Sequence, residues 1–249
     1  MTSTRFPAGR QPGVQATATR PGVRSHILEA ALTEFAEKGF AEASLAAIAR
    51  KLGVTAPLVL YHFGSKANLW REAVEVLCAG FASVVESAVE DGRSLDSRAA
   101  LQLLVRRLVC FFASNRAAYR LLRDQGGIDS DRADWLTCRH LRPVVAEIEA
   151  VYRRAVEDGA VRPAPFETTF FMILGAASCY FESRELVSHL FGNAGEGPEW
   201  ISSYADQVVG LCFQGLAPGA AATSPRATAD VDDASRWNHR GEQYLVAVA

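Results

Sequence analysis

Ser44, Thr55 and Lys66 stand at the openings of three consecutive helical segments. A helix opening exposes backbone N–H groups that have no partner inside the helix, and a hydroxyl beside them adds a further polar contact. Ser44 and Thr55 are therefore equipped to hold an oxyanion such as a phosphate, as well as to serve as ordinary N-caps worth about 1 kcal/mol each. Lys66 falls in the first turn of its helix, where a cation opposes the helix dipole. An arriving anion would turn that mild penalty into attraction.

Other chemistry finds little support. The chain has no G-x-S-x-G nucleophile turn, no phosphate-binding glycine loop and no H-E-x-x-H or paired-cysteine motif, which argues against an enzyme. Cys78, Cys110, Cys138, Cys179 and Cys212 lie 28 to 41 residues apart, an odd number without a close pair, so reduced, packed thiols are expected and no metal. Asp129, Asp131 and Asp134 superficially match a calcium loop, but no turn glycine follows and the twelfth position is His140. They suit the capping of a helix better. No cofactor is implied.

The charge-free stretch from Thr168 to Phe181 is too short to span a membrane, and residues 1–24 hold four arginines without the apolar run of a secretory signal. The expectation is a cytoplasmic protein. Of its 249 residues, 26 are Lys or Arg and 28 are Asp or Glu, and this balanced total conceals an asymmetry. Residues 1–66 carry eight basic against four acidic side chains, net +4, which leaves −6 for residues 67–249. A basic head on an acidic body is the distribution expected when only the head meets a polyanion.

The apolar spacing between the two ends is helical throughout, so the fold class is all-α. Ile27, Leu28, Ala31, Leu32 and Phe35 stripe a first helix that stops near Lys38-Gly39. A second runs from Ser44 to Gly53 and a third from Thr55 to Gly64, with Pro57 in the first turn where proline is tolerated. The fourth, opened by Ser65, is long and striped by Leu69, Val74, Leu77, Phe81 and Val84. Further helices are expected near 96–114, 116–124, 130–158, 165–190 and 198–216. Residues 1–20 read as a flexible arm containing arginines, and 217–249 as a largely disordered tail. Two short helices joined by a glycine turn and packed on a preceding helix make a helix-turn-helix, whose second helix enters the DNA major groove.

The wording of this segment is more specific than its spacing. Ile27-Leu28-Glu29-Ala30-Ala31, Phe35-Ala36-Glu37-Lys38-Gly39-Phe40, Ser44-Leu45-Ala46-Ala47-Ile48-Ala49, Leu52-Gly53-Val54-Thr55 and Tyr61-His62-Phe63-Gly64-Ser65-Lys66 closely resemble the DNA-binding domain of the tetracycline-repressor (TetR) family of transcriptional regulators. The resemblance implies a domain over 21–80 with its motif at about 44–63. It also implies that Tyr61, His62 and Lys66 contact the DNA backbone. Ile48, Leu52, Val54, Val59 and Phe63 are core by spacing. The start of the recognition helix, Ala56-Pro57-Leu58, has no Arg, Asn or Gln to fork onto base edges, and Leu60 replaces a tyrosine frequent in the family. Readout must lean on thymine methyls and DNA shape, with modest direct specificity; the arm, if it enters a minor groove, supplies the rest.

For residues 81–216 the resemblance implies a helical domain that binds a small-molecule effector and forms a homodimer, with the helix around Thr168–Phe181 and that around Tyr204–Phe213 as the dimer pair. Phe111, Phe112, Trp135, Tyr152 and Met172 are the candidate pocket residues, each equally readable as core. The implied function is a ligand-responsive repressor that binds a palindromic double-stranded DNA operator as a dimer and is released by its effector. The alternative left open by the apolar recognition helix is a helical sensor that has lost DNA binding.

Overall fold

The computed structural model describes residues 22–116, 118–124, 130–193 and 195–215, without the side chains of 122–124, 130 and 215. The arm at 1–20, the tail at 217–249 and Asp129 lie outside the described residues. Eleven α-helices and one π turn are present among the described residues, with no strand, as the sequence predicts.

Three helices build the head: α1 (Val23–Glu42), α2 (Leu45–Lys51) and α3 (Ala56–Phe63). An eight-residue helix is too short to hold itself in water, so α3 depends on packing. Val59 and Phe63 supply it, buried with Ile48 of α2 and Ile27, Ala31 and Phe35 of α1. Full burial of two such side chains stabilises the docked helix by about 3–6 kcal/mol. Leu52 and Val54 pack at the edge of this core, half-buried. A buried carboxylate adds a second tie. Glu34 of α1 is only 5% exposed, and Lys51 at the end of α2 reaches it at 3.1 Å and Glu37 at 3.4 Å. Burial alone would lower the Lys51 pKa, but the two glutamates outweigh it and raise it, so the lysine is charged at neutral pH.

Gly39 ends the regular part of α1. Its φ of 72° is open to glycine and strained for a side chain, and it turns Phe40–Glu42 away from the helix axis.

The body begins where α4 (Lys66–Gly92) leaves the head. At 27 residues, about 40 Å, it is the shaft shared by both halves. Ser65 caps it through Asn68 N–H at 3.1 Å. It packs on α1 and α3 below and, above, on α5 (Ser97–Ser114), which Asp96 caps through Ala99 N–H at 2.8 Å. Leu101, Leu104, Val105, Leu108, Val109 and Phe112 make α5 the buried centre of the body. Around it lie α8 (Arg142–Glu157), α9 (Phe166–Glu182) and α11 (Pro198–Gly215), with the short α6 (Ala118–Asp124) and α7 (Ser130–Leu136) towards the head.

Two breaks depart from the sequence reading. The helix expected over 130–158 is interrupted by a π turn at Thr137–Leu141. Pro143 has no N–H for the Arg139 carbonyl, and the helix accommodates it by widening, with Arg142 N–H bonding back to Thr137 O. The helix expected over 165–190 bends at Ser183, whose ψ of 15° redirects the axis into α10 (Arg184–Phe191) although its hydrogen bonds continue. No glycine or proline marks that bend.

Candidate nucleic-acid interface

The helix openings of the head differ from one another. Ser44 and Thr55 occupy the N-cap positions of α2 and α3 with extended backbone, yet neither side chain bonds a first-turn N–H. The expected side-chain caps are therefore not made, and both residues are exposed. Ser65, by contrast, spends its hydroxyl internally. At α3, Pro57 faces solvent while Ala56 and Leu58 are half-buried. Leu60 is exposed beside them.

Tyr61 is 81% exposed, although it is a large aromatic in a helix whose Val59 and Phe63 turn inward. Among the described residues its ring partner is the neighbouring His62, edge-on at 5.5 Å. Lys66 is not simply solvated: its ammonium donates to the Ala41 carbonyl at 2.9 Å and lies 5.0 Å from the Phe40 ring centroid. The α1 start is also tied to this region, because Arg24 pairs with Glu72 and lies over the Phe63 ring at 5.1 Å. Exposed hydroxyls, an exposed phenol, an imidazole and an ammonium thus surround the recognition helix, with no metal-competent group of three or more His, Cys, Asp or Glu among the described residues.

The body places the candidate pocket residues differently from one another. Phe111 and Phe112 are buried against Phe81 and each other, at 5.1–6.3 Å between centroids, as core. Tyr152 lines a shallow groove of about 350 Å³ between α8 and α9, but its hydroxyl is committed at both ends, donating to Ala164 O at 2.9 Å and accepting from Ala164 N–H at 3.1 Å. Trp135 packs between Trp70 and His140. Met172 departs from expectation. It stands 74% exposed beside Phe171 because Thr169, Ile173 and Ala177 take the inward face of α9.

A larger cleft, about 920 Å³, is lined by α1, α4, α5, α6, α9 and α10, floored by Leu32, Leu77 and Phe181 and rimmed by charges including Arg116 and Glu185. The sequence reading assigned no role to this cleft, nor to the contacts of Phe40 and Glu34. All three arise from segments distant in the chain and leave no local signal.

His140 in the π turn has its pKa lowered by burial, helped by Arg139 and opposed by Glu75. A histidine whose folded pKa lies below its unfolded value resists protonation, so its contribution to stability is full above about pH 6.5 and falls as pH drops towards the folded pKa. Chemical denaturation between about pH 7 and pH 5 should show that loss, and His140→Gln should flatten this part of the profile. An unchanged slope in the variant would remove His140 as its source.

A helix-turn-helix head with open helix N-termini, carried on a larger helical body, is the architecture of a transcriptional regulator. The family model for bacterial regulatory proteins of the tetR family matches residues 27–73, and that for the tetracyclin repressor-like C-terminal domain matches residues 98–211. Together they cover well over half of the chain, which belongs to the TetR family of non-enzymatic transcriptional regulators. Among solved structures, the ketosteroid transcriptional regulator KstR2 of Mycobacterium tuberculosis aligns with a TM-score of 0.58 at 17% identity, over 80% of this chain and 97% of that one. A TetR-like transcriptional regulator from Rhodococcus sp. RHA1 aligns with a TM-score of 0.55 at 20% identity, over 80% and 98%. At these identities the likeness establishes the fold. No curated protein matches the chain.

Proposed function

We propose that this chain is a ligand-responsive repressor that binds a palindromic double-stranded operator as a homodimer and leaves it when a small-molecule effector binds the body. The observation that carries the DNA-binding part is Tyr61, a large aromatic standing 81% exposed at the end of the recognition helix, flanked by His62 and by helix openings whose hydroxyls are unspent. Burial inside the protein does not account for it, and a phosphate backbone does. Ser44, Thr55, Tyr61, His62 and Lys66 take phosphates, while Ala56, Pro57 and Leu58 face the bases.

The dimer part rests on α9 and α11. Phe171, Met172 and Leu211 are 63%, 74% and 75% exposed, and Gly175 and Gly210 on the same helices have nothing within 4 Å of a Cβ position, so a second pair of helices could approach closely. A two-fold dimer sets its recognition helices on half-sites about 10 bp apart, or a multiple of that. The effector acts by favouring one separation of the two heads over another. Its contacts belong to the body, where Phe111, Phe112, Trp135 and Tyr152 are the first residues to vary; Met172 belongs to the dimer face instead.

Fluorescence anisotropy with a mixed-sequence duplex, titrated with salt, tests the central part. The affinity should fall steeply, with a log–log slope of about −0.9 for each phosphate neutralised. Replacing Tyr61 and His62 together by alanine should weaken binding by about thirtyfold, since each lost charge-assisted or polar backbone contact is worth roughly 1 kcal/mol, while the fold survives because neither side chain is in the core. No binding at low salt would overturn the reading in favour of a sensor without DNA binding.

A further inference from the structure

One contact between head and body centres on the Phe40 ring. The turn that Gly39 swings out of α1 carries Phe40 and Ala41, and Lys66 is held by both, through the Ala41 carbonyl and the Phe40 face. From the body, Arg132 of α7 reaches the same ring, its guanidinium carbon 3.8 Å from the Phe40 centroid and 5.7 Å from that of Trp70. One turn along α7, Trp135 packs on Trp70 at 5.7 Å and on His140 of the π turn at 4.8 Å. Residues three apart share a helix face, so α7 grips the head through Arg132 and Trp135 together.

We propose that Arg132 is a positioning residue for DNA binding: it holds Phe40 from the body side, fixes the Phe40–Ala41 turn, and thereby sets where the Lys66 ammonium stands when DNA arrives. This rests on the reading of Lys66 as a phosphate contact. The two cations share one ring face system, and a guanidinium at this distance is among the stronger cation–π partners. A lysine anchored to a carbonyl and a ring presents a defined position, whereas a free lysine must be ordered at the moment of binding. The same contact gives the body a handle on the head. The π turn follows α7 directly, and its wider hydrogen bonding makes α7 easier to shift than a helix continuous with α8. Trp70 Nε1 and His140 Nε2, on the two rings that Trp135 packs against, are buried without a hydrogen-bond partner among the described residues, so these two ring contacts are apolar packing. A shift of α7 that lifts Arg132 from Phe40 releases Lys66 without any change in the recognition helix itself.

The test uses the full-length protein, a mixed-sequence duplex of about 30 bp and a salt titration. Lys66→Ala should reduce the slope by about 0.9 per protomer, one phosphate contact. Arg132→Gln should reproduce most of that reduction, with about tenfold weaker binding at low salt, and Arg132→Lys should restore it. Phe40→Leu, which keeps the charge and the apolar bulk but removes the ring, should match Arg132→Gln. In a Lys66→Ala background, Arg132→Gln should have no further effect on the slope. A general loss of fold or of positive charge gives a different pattern, additive with Lys66→Ala and absent in Phe40→Leu, and either result overturns the proposal. An unchanged slope in Lys66→Ala overturns the phosphate reading, and this one with it. A reduced slope in Lys66→Ala with an unchanged one in Arg132→Gln overturns the positioning role alone.

Discussion

Aspartate at both Phe171 and Leu211 is expected to split the dimer and to weaken operator binding by at least about a hundredfold. These two bulky side chains are exposed on α9 and α11, and in the proposed dimer charges placed there have no partner when a second copy closes over them. Each head alone offers one short recognition helix without base-reading forks, so the affinity of the pair depends on both heads being tethered at the spacing of the half-sites. Losing a tether of this kind costs about 10²–10⁴ in apparent affinity. Sedimentation should show a monomer whose helical content is unchanged, because neither side chain contributes to the protomer core. A variant that stays dimeric would move the interface elsewhere, and α10, with Leu186, Leu190 and Phe191 exposed, is the next surface to alter.

The second large effect lies in the head. Lys51→Met should destabilise it by about 2 kcal/mol, below the 3–5 kcal/mol of a wholly buried pair because Lys51 itself is 42% exposed. What is lost is less the attraction than the compensation of Glu34, whose carboxyl stays buried without its partner. Glu34→Gln in the Lys51→Met background should therefore recover much of the loss, and the thermal midpoint of the single variant should fall by about 4–8 °C. If the double variant is no more stable than the single one, Glu34 is not the source of the penalty. The sign with pH follows from the raised Lys51 pKa. The stabilisation is present at neutral pH and is lost as pH rises above about 10.5 through the folded value.

The parts of the fold legible in the sequence are those governed by local rules. Gly39, Gly53 and Gly64 each adopt a positive φ at a helix end, and the apolar stripe of the head predicted Ile48, Val59 and Phe63 as core. The four-helix order of residues 23–92 follows from these signals alone. Where tertiary contacts decide, the local reading fell short. The bend at Ser183 has no breaker residue behind it. The π turn had one, Pro143, whose effect is to widen the helix rather than to end it. Met172 lies in an apolar run, and periodicity in such a run does not say which side faces a core and which a second chain. The uncapped hydroxyls of Ser44 and Thr55 illustrate the same limit in the site itself: residue type predicted the N-cap position but not whether the side chain bonds there. The contacts of Phe40 with Arg132 and of Lys66 with Ala41 join elements far apart in the chain, and only the folded arrangement brings them together.

The basic head and acidic body now have a structural meaning. Lys51 is consumed by Glu34 and Glu37, and Arg24 by Glu72, so a share of the head's positive charge is spent on holding the head together. The basic residues of 1–66 outside these pairs are Arg5, Arg10 and Arg20 of the arm and Lys38, Arg50 and Lys66 of the head.

Nuclease footprinting of the full-length protein on the DNA flanking its own gene tests the central claim most directly. The predicted result is a protected palindrome whose halves are about one helical turn or a multiple of it apart, occupied by dimers and lost as salt rises. Absence of protection at low salt, or protection of a single half-site without two-fold symmetry, would contradict it.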